Sequence, residues 1–115
     1  MNTCIYIAGK ITGEPYASTF LKFNAVQKQF TELGINSINP MKLGLPGDWS
    51  FLQCKDICFS VITRCTDLYL LPDYKNSIGA LAEKQYAESI GIEVHEPVQN
   101  ISEYFTELLQ MRILS

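Results

Sequence analysis

The chain has 115 residues, a formal net charge of −3, 47% hydrophobic residues and 18% charged residues. That is the length of one domain, with enough apolar content to fold around a core rather than stay disordered. The acidic balance argues against a duplex nucleic-acid partner but leaves room for a small nucleotide held by backbone N–H groups.

No apolar run nears the roughly 20 residues of a membrane span. No charged leader precedes the first apolar run, so the expectation is a soluble, cytoplasmic protein. The cysteines, Cys4, Cys54, Cys58 and Cys65, form no C-x-x-C pair and read as reduced core thiols. The one histidine, His95, stands alone near a strand end, which gives little support to metal, Ser-His-Asp or Cys-His chemistry. No cofactor motif is present.

In chain order, "TCIYIAG" (3–9) is a short apolar run closed by Gly, the pattern of a buried parallel strand. A loop with Gly13 and Pro15 follows. From about Ala17 to Leu33, Phe20, Phe23, Val26, Phe30 and Leu33 recur at helical spacing, and Gly34 closes the helix. "INSINP" (35–40) is a second strand, and residues 41–50 form a loop. A helix is predicted over Phe51–Arg64. Its apolar residues surround it rather than line one stripe, which predicts burial on more than one face and suggests a subunit interface. "DLYLLP" (67–72) is a third strand. Residues 76–94 read as loop, helix and strand, with the helix closed by Gly91 and the fourth strand running to 97. A last helix is expected from an N-cap at Ser102 to Leu114. Strands alternating with helices predict a doubly wound α/β fold, a four- to five-stranded parallel sheet flanked by helices, as a single domain over 1–115.

Ligands of such folds bind beyond the carboxyl ends of the strands, which directs attention to loops 9–16, 40–50 and 72–78. The first strand and loop offer Tyr6, Gly9 and Gly13, without G-x-G-x-x-G or a P-loop signature. Gly9 permits close backbone approach to a ligand. After the third strand, Ser77 is placed to cap a helix whose first turn holds Gly79, leaving N–H groups that favour an anion. Glu83 lies further along that helix among Gly79, Ala80 and Ala82. It is either a solvated helix residue or a carboxylate held over a pocket. Asp56 and Asp73 admit the same two readings. Several carboxylates without metal-ligand histidines suggest nucleophilic and acid/base work, as in glycosyl transfer.

The segments "CIYIAGKITG", "INP", "W", "KDI" and "CTDLYLLPDYKNSIGALAEKQYAESIGIEV" together resemble the nucleoside 2-deoxyribosyltransferase-like superfamily, in particular its small phage and bacterial branch. The resemblance implies a parallel α/β fold and a homodimer or larger assembly. It also implies a nucleoside or nucleotide ligand and a Glu nucleophile that matches Glu83. It matches Tyr6 to a site tyrosine and, approximately, Asp56 to a carboxylate that assists base and leaving group. Where the transferases commonly carry Asp six residues before the nucleophile, this chain has Ser77. In that respect it is similar to the nucleoside 5′-monophosphate N-hydrolases, in which Ser77 and Gly79 would match the phosphate clamp. Lys10 departs from the pattern, as a second phosphate contact or a solvated loop residue. The readings carried forward are an N-glycosidase or deoxyribosyltransferase, a nucleotide-binding module without turnover, and an interaction protein that binds no small ligand.

Overall fold

The computed structural model describes residues 2–115. Its elements follow the chain as β1 (Cys4–Ala8), α1 (Tyr16–Glu32), β2 (Asn36–Ile38), α2 (Phe51–Thr63), β3 (Asp67–Leu70), α3 (Ile78–Ser89), β4 (Glu93–His95) and α4 (Ile101–Leu114), with short 3-10 turns at Pro40–Lys42 and Tyr74–Asn76. The four strands form one parallel sheet in the order β2-β1-β3-β4. The expected doubly wound α/β architecture is therefore present, with four strands and no fifth among the described residues.

Side chains of a strand alternate between faces, and β1 and β3 divide their residues accordingly. Tyr6, Ala8, Leu68 and Leu70 join the core that also holds Cys58 and Ile62 of α2 and Ala80 and Ala87 of α3. Ile5, Ile7, Tyr69 and Leu71 join the other, with Phe23 and Phe30 of α1 and Ile101 and Phe105 of α4. Both faces are covered, which is why the central strands β1 and β3 read as near-continuous apolar runs. The predicted stripe of α1 holds, with Phe23 and Phe30 fully buried and Val26 and Leu33 packed beside them.

One expectation is corrected. The last helix is capped by Asn100, whose side chain accepts the Glu103 N–H at 2.9 Å, and Ser102 is an exposed first-turn residue. The apolar surplus of α2 is partly consumed within the chain: Phe59 stacks on Tyr86 of α3 at 4.2 Å, and the Phe51 ring lies against Gly79. Leu52 and Ile57 remain exposed. No helix among the described residues is long and apolar enough to cross a membrane.

At the amino-terminal edge of the sheet lies a buried polar network. Asp67, fully buried at the start of β3, accepts from His95 Nε2 at 2.7 Å and from both nitrogens of the Arg112 fork at 2.9 and 2.6 Å, and Thr66 also donates to it. Burial pushes this carboxyl up, but those hydrogen bonds outweigh it and hold Asp67 at about 2. His95 is thus not isolated: its other nitrogen meets the Tyr104 hydroxyl at 2.8 Å. Asp67, Glu93 and His95 gather ligand-type atoms within 4.8 Å, and the cation meeting both carboxylates is Arg112. All four cysteines are free, as expected, with the Cys4 and Cys65 sulfurs 3.8 Å apart.

Candidate functional site

The chain leaves β1 to build β2 on one side and returns to build β3 on the other, so the loops after β1 and β3 diverge. A crevice opens at such a switch point. Here it is a cleft of about 630 Å³, within the roughly 300–1,000 Å³ of small-molecule sites. Gly9 and Ile11 to Glu14 supply one wall and the segment from Gly44 to Phe51 another; Ser77, Gly79, Ala80 and Glu83 of the α3 end line it as well.

Glu83 is the central feature. The buried positions of α3 are Ala80, Glu83 and Ala87, the core-facing stripe of the helix, and the carboxylate occupies its middle place. It is 6% exposed and is not a solvated surface residue. Tyr6, pointing from β1 toward the same face, donates its hydroxyl to Glu83 Oε2 at 2.6 Å. Oε1 has no hydrogen-bond partner among the described residues, on a side chain that lines the cleft. Burial raises the Glu83 carboxyl from 4.5 to about 7, against the opposing pull of the Tyr6 hydroxyl. Burial, followed by the Glu83 charge, raises Tyr6 as well, so Tyr6 remains a donor at neutral pH.

The cleft brings together five of the residues that the sequence singled out: Tyr6, Gly9, Ser77, Gly79 and Glu83. Ser77 is the N-cap of α3, and its hydroxyl accepts the Ala80 N–H at 3.0 Å. The N–H groups of Ile78 and Gly79 have no protein acceptor among the described residues, the usual state of a helix start. Gly79 allows close approach, since a Cβ there would stand 2.8 Å from the Phe51 ring. At Gly9 the space is taken from inside: a Cβ would meet Leu71 at 2.6–3.0 Å.

Asp56, Lys10 and Asp73 are not in the lining. Asp56 is exposed on α2 because Phe51, Cys54 and Cys58 hold the stripe that faces the cleft, and a residue two places from Cys54 projects to the far side. Asp73 accepts the Lys10 N–H at 3.1 Å and the Lys22 ammonium at 2.6 Å, so its carboxylate is spent within the protein. The Lys10 side chain lies 4.0 Å from Glu14.

The structure adds residues that the sequence reading gave no role. Trp49 and Tyr16 bring partly exposed aromatic rings to the cleft, and Glu14 and Asp48 bring exposed carboxylates. Cys54 and Cys58 line it near Glu83. Burial pushes the Cys58 thiol up to about 11, and Cys54 is raised by burial and then by the Glu83 charge. Only the tryptophan carried a signal, as the "W" between "INP" and "KDI".

The class this architecture defines is a doubly wound α/β protein with a buried carboxyl under a cleft at the switch point of its sheet. The chain belongs to the family described as Domain of unknown function (DUF4406), whose model matches residues 3–96. A comparison with curated proteins gives no match.

Proposed function

We propose that the protein performs N-glycosidic bond chemistry on a nucleoside or nucleotide, as an N-glycosidase or 2-deoxyribosyltransferase, with Glu83 as nucleophile. The observation that carries this reading is the buried Glu83 carboxyl, with one oxygen held by Tyr6 and the other free at the cleft. The motif resemblance to the nucleoside 2-deoxyribosyltransferase-like superfamily supports the same residue.

In the first step ionised Glu83 attacks the anomeric carbon through Oε1. A C–O bond forms as the C–N bond breaks, and the electron pair leaves with the base, which takes up a proton from the cleft or from water. Water then attacks the glycosyl ester, its hydroxyl joins the sugar, its proton is released, and the carboxylate is restored. If a second base attacks instead, the outcome is transfer. Positive charge on the sugar ring in each transition state is met by a carboxylate in a poorly solvated setting, where the attraction is strong. Tyr6 fixes the carboxylate and favours its ionised form. Asp56 receives no role, because α2 turns it away from the cleft.

The free N–H groups of Ile78 and Gly79 at the start of α3 support a 5′-phosphate on the ligand. The raised Glu83 pKa favours a second reading, a nucleotide-binding protein without turnover in which protonated Glu83 donates to a sugar hydroxyl. The exposed Leu52 and Ile57 on α2 and Ile78 at the start of α3 support a homodimer, for which light scattering at micromolar concentration should give twice the chain mass.

Deoxynucleosides and their monophosphates, incubated with the protein and followed by chromatography, test the main reading. Wild type should release free base and Glu83→Gln should not. Equal release by both, or none by either, rejects the enzyme. Calorimetry showing tight binding with the ligand recovered intact establishes the second reading.

A further inference from the structure

We propose that Lys22 and Asp73 form a latch that holds the β1–α1 loop in place as a wall of the cleft, with Lys22 a positioning residue for the proposed reaction. This rests on the site reading above only for its kinetic consequence; the latch itself stands on geometry.

Residues 11–18 are all exposed. Within the loop one turn bond, Glu14 N–H to the Ile11 carbonyl at 3.1 Å, closes on itself. At its far end the loop is tied to α1, where the Pro15 carbonyl accepts from the Thr19 N–H at 3.1 Å and the Thr19 hydroxyl at 2.7 Å. At its start it is held through Lys10, and both backbone polar groups of Lys10 go to the same ion pair. The Lys10 N–H donates to Asp73 Oδ1 at 3.1 Å, and its carbonyl accepts from Lys22 Nζ at 2.9 Å. Lys22 Nζ in turn donates to Asp73 Oδ2 at 2.6 Å, closing a ring of three hydrogen bonds. The partners come from three places: the loop after β1, the second turn of α1, and the 3-10 turn after β3 that leads to Ser77. The latch therefore fixes the wall formed by Ile11, Thr12 and Glu14 relative to the α3 N-terminus across the cleft.

An ion pair that captures both backbone groups of one residue orients that peptide more firmly than a single bond, because rotation about either neighbour breaks a contact. Lys22 is also already paired with a carboxylate, so its charge serves the loop rather than a ligand phosphate. A loop ordered before binding spares the ligand the cost of ordering it.

The experiment compares wild type, Lys22→Met and Lys22→Arg. Amide hydrogen exchange at Lys10 and Glu14, the loop N–H groups that have acceptors, should speed up in the free protein by at least about tenfold in Lys22→Met and return toward wild type in Lys22→Arg. With deoxyadenosine monophosphate as substrate, Lys22→Met should raise KM by about tenfold with kcat within about twofold, the scale of reordering one or two side chains on binding. Unchanged exchange at Lys10 and Glu14 overturns the latch, whether or not any substrate turns over. Faster exchange with unchanged KM overturns the positioning role. An absence of turnover in all three proteins bears on the glycosidic reading alone, and the exchange comparison still decides the latch.

Discussion

Replacing Glu83 with Gln should stabilise the protein above neutral pH and leave it nearly unchanged in acid. In the unfolded chain this carboxyl ionises near its ordinary 4.5; in the fold, burial holds it to about 7. Between those values the folded chain retains a proton that the unfolded chain has released. Raising the pH through that window therefore drains stability from the fold, and the loss is complete above about pH 7. Each pH unit of the window is worth about 1.4 kcal/mol, so the full penalty is about 3 kcal/mol. That is a large part of the roughly 5–15 kcal/mol that holds a domain of this kind together. Gln keeps the shape, can accept the Tyr6 hydrogen, and carries no charge to strip of water. Urea unfolding of both proteins at pH 4, 6 and 8 measures the effect: the variant should gain nothing at pH 4 and about 3 kcal/mol at pH 8. A difference between the two proteins that stays constant from pH 4 to 8 would refute the idea that burial holds this carboxyl neutral.

Tyr6→Phe removes the hydroxyl that favours the charged form of Glu83. The rise of base-releasing activity with pH, expected near 7 in wild type, should move upward, as read from kcat/KM between pH 5 and 9. Asp67→Asn leaves Arg112 and His95 around a neutral group and should cost about 3–5 kcal/mol at pH 7 in urea unfolding. Because Asp67 is held at about 2 against an ordinary 3.8, the part of its contribution that depends on ionisation is present above pH 3.8 and lost toward pH 2, so the gap between variant and wild type should narrow by about 2–3 kcal/mol in strong acid. Gly9→Ala drives a methyl into Leu71, which is 1% exposed, and should cost about 1–3 kcal/mol, with partial relief from Leu71→Val.

The alternation of strands and helices was legible because β1 and β3 lie in apolar runs that end at Gly9 and Pro72, β2 and β4 are short segments closed by Pro40 and Pro97, and each helix except α2 keeps a recognisable face. The failure at α2 has a physical reason. With apolar residues on every side, no stripe fixes the rotation of the helix, so Asp56 was no less plausible over the cleft than Cys54 or Cys58, which are there. Glu83 was legible only as a question: small neighbours marked a space, but whether the carboxylate filled it depended on Tyr6, 77 positions away. Trp49 and Asp48 sit in a loop with no periodicity to aim them. The Asp67–His95 pair, 28 positions apart, becomes visible only once β3 and β4 are known to be neighbours.

The terminal helix α4 lies beyond residue 96, where similarity to the family ends. Yet Phe105 is fully buried edge-on against Phe30 and Tyr69 at 4.9 and 5.7 Å, and Arg112 neutralises the one carboxylate sealed at the foot of the sheet. A chain ended at 96 would lose a keystone and leave the buried Asp67 carboxylate with the Thr66 and His95 contacts but without its arginine, so it should fail to fold although every cleft residue is retained. The limit of recognisable kinship and the limit of the cooperative unit fall at different places in this protein, and a fragment cut for binding or kinetic work needs to follow the second.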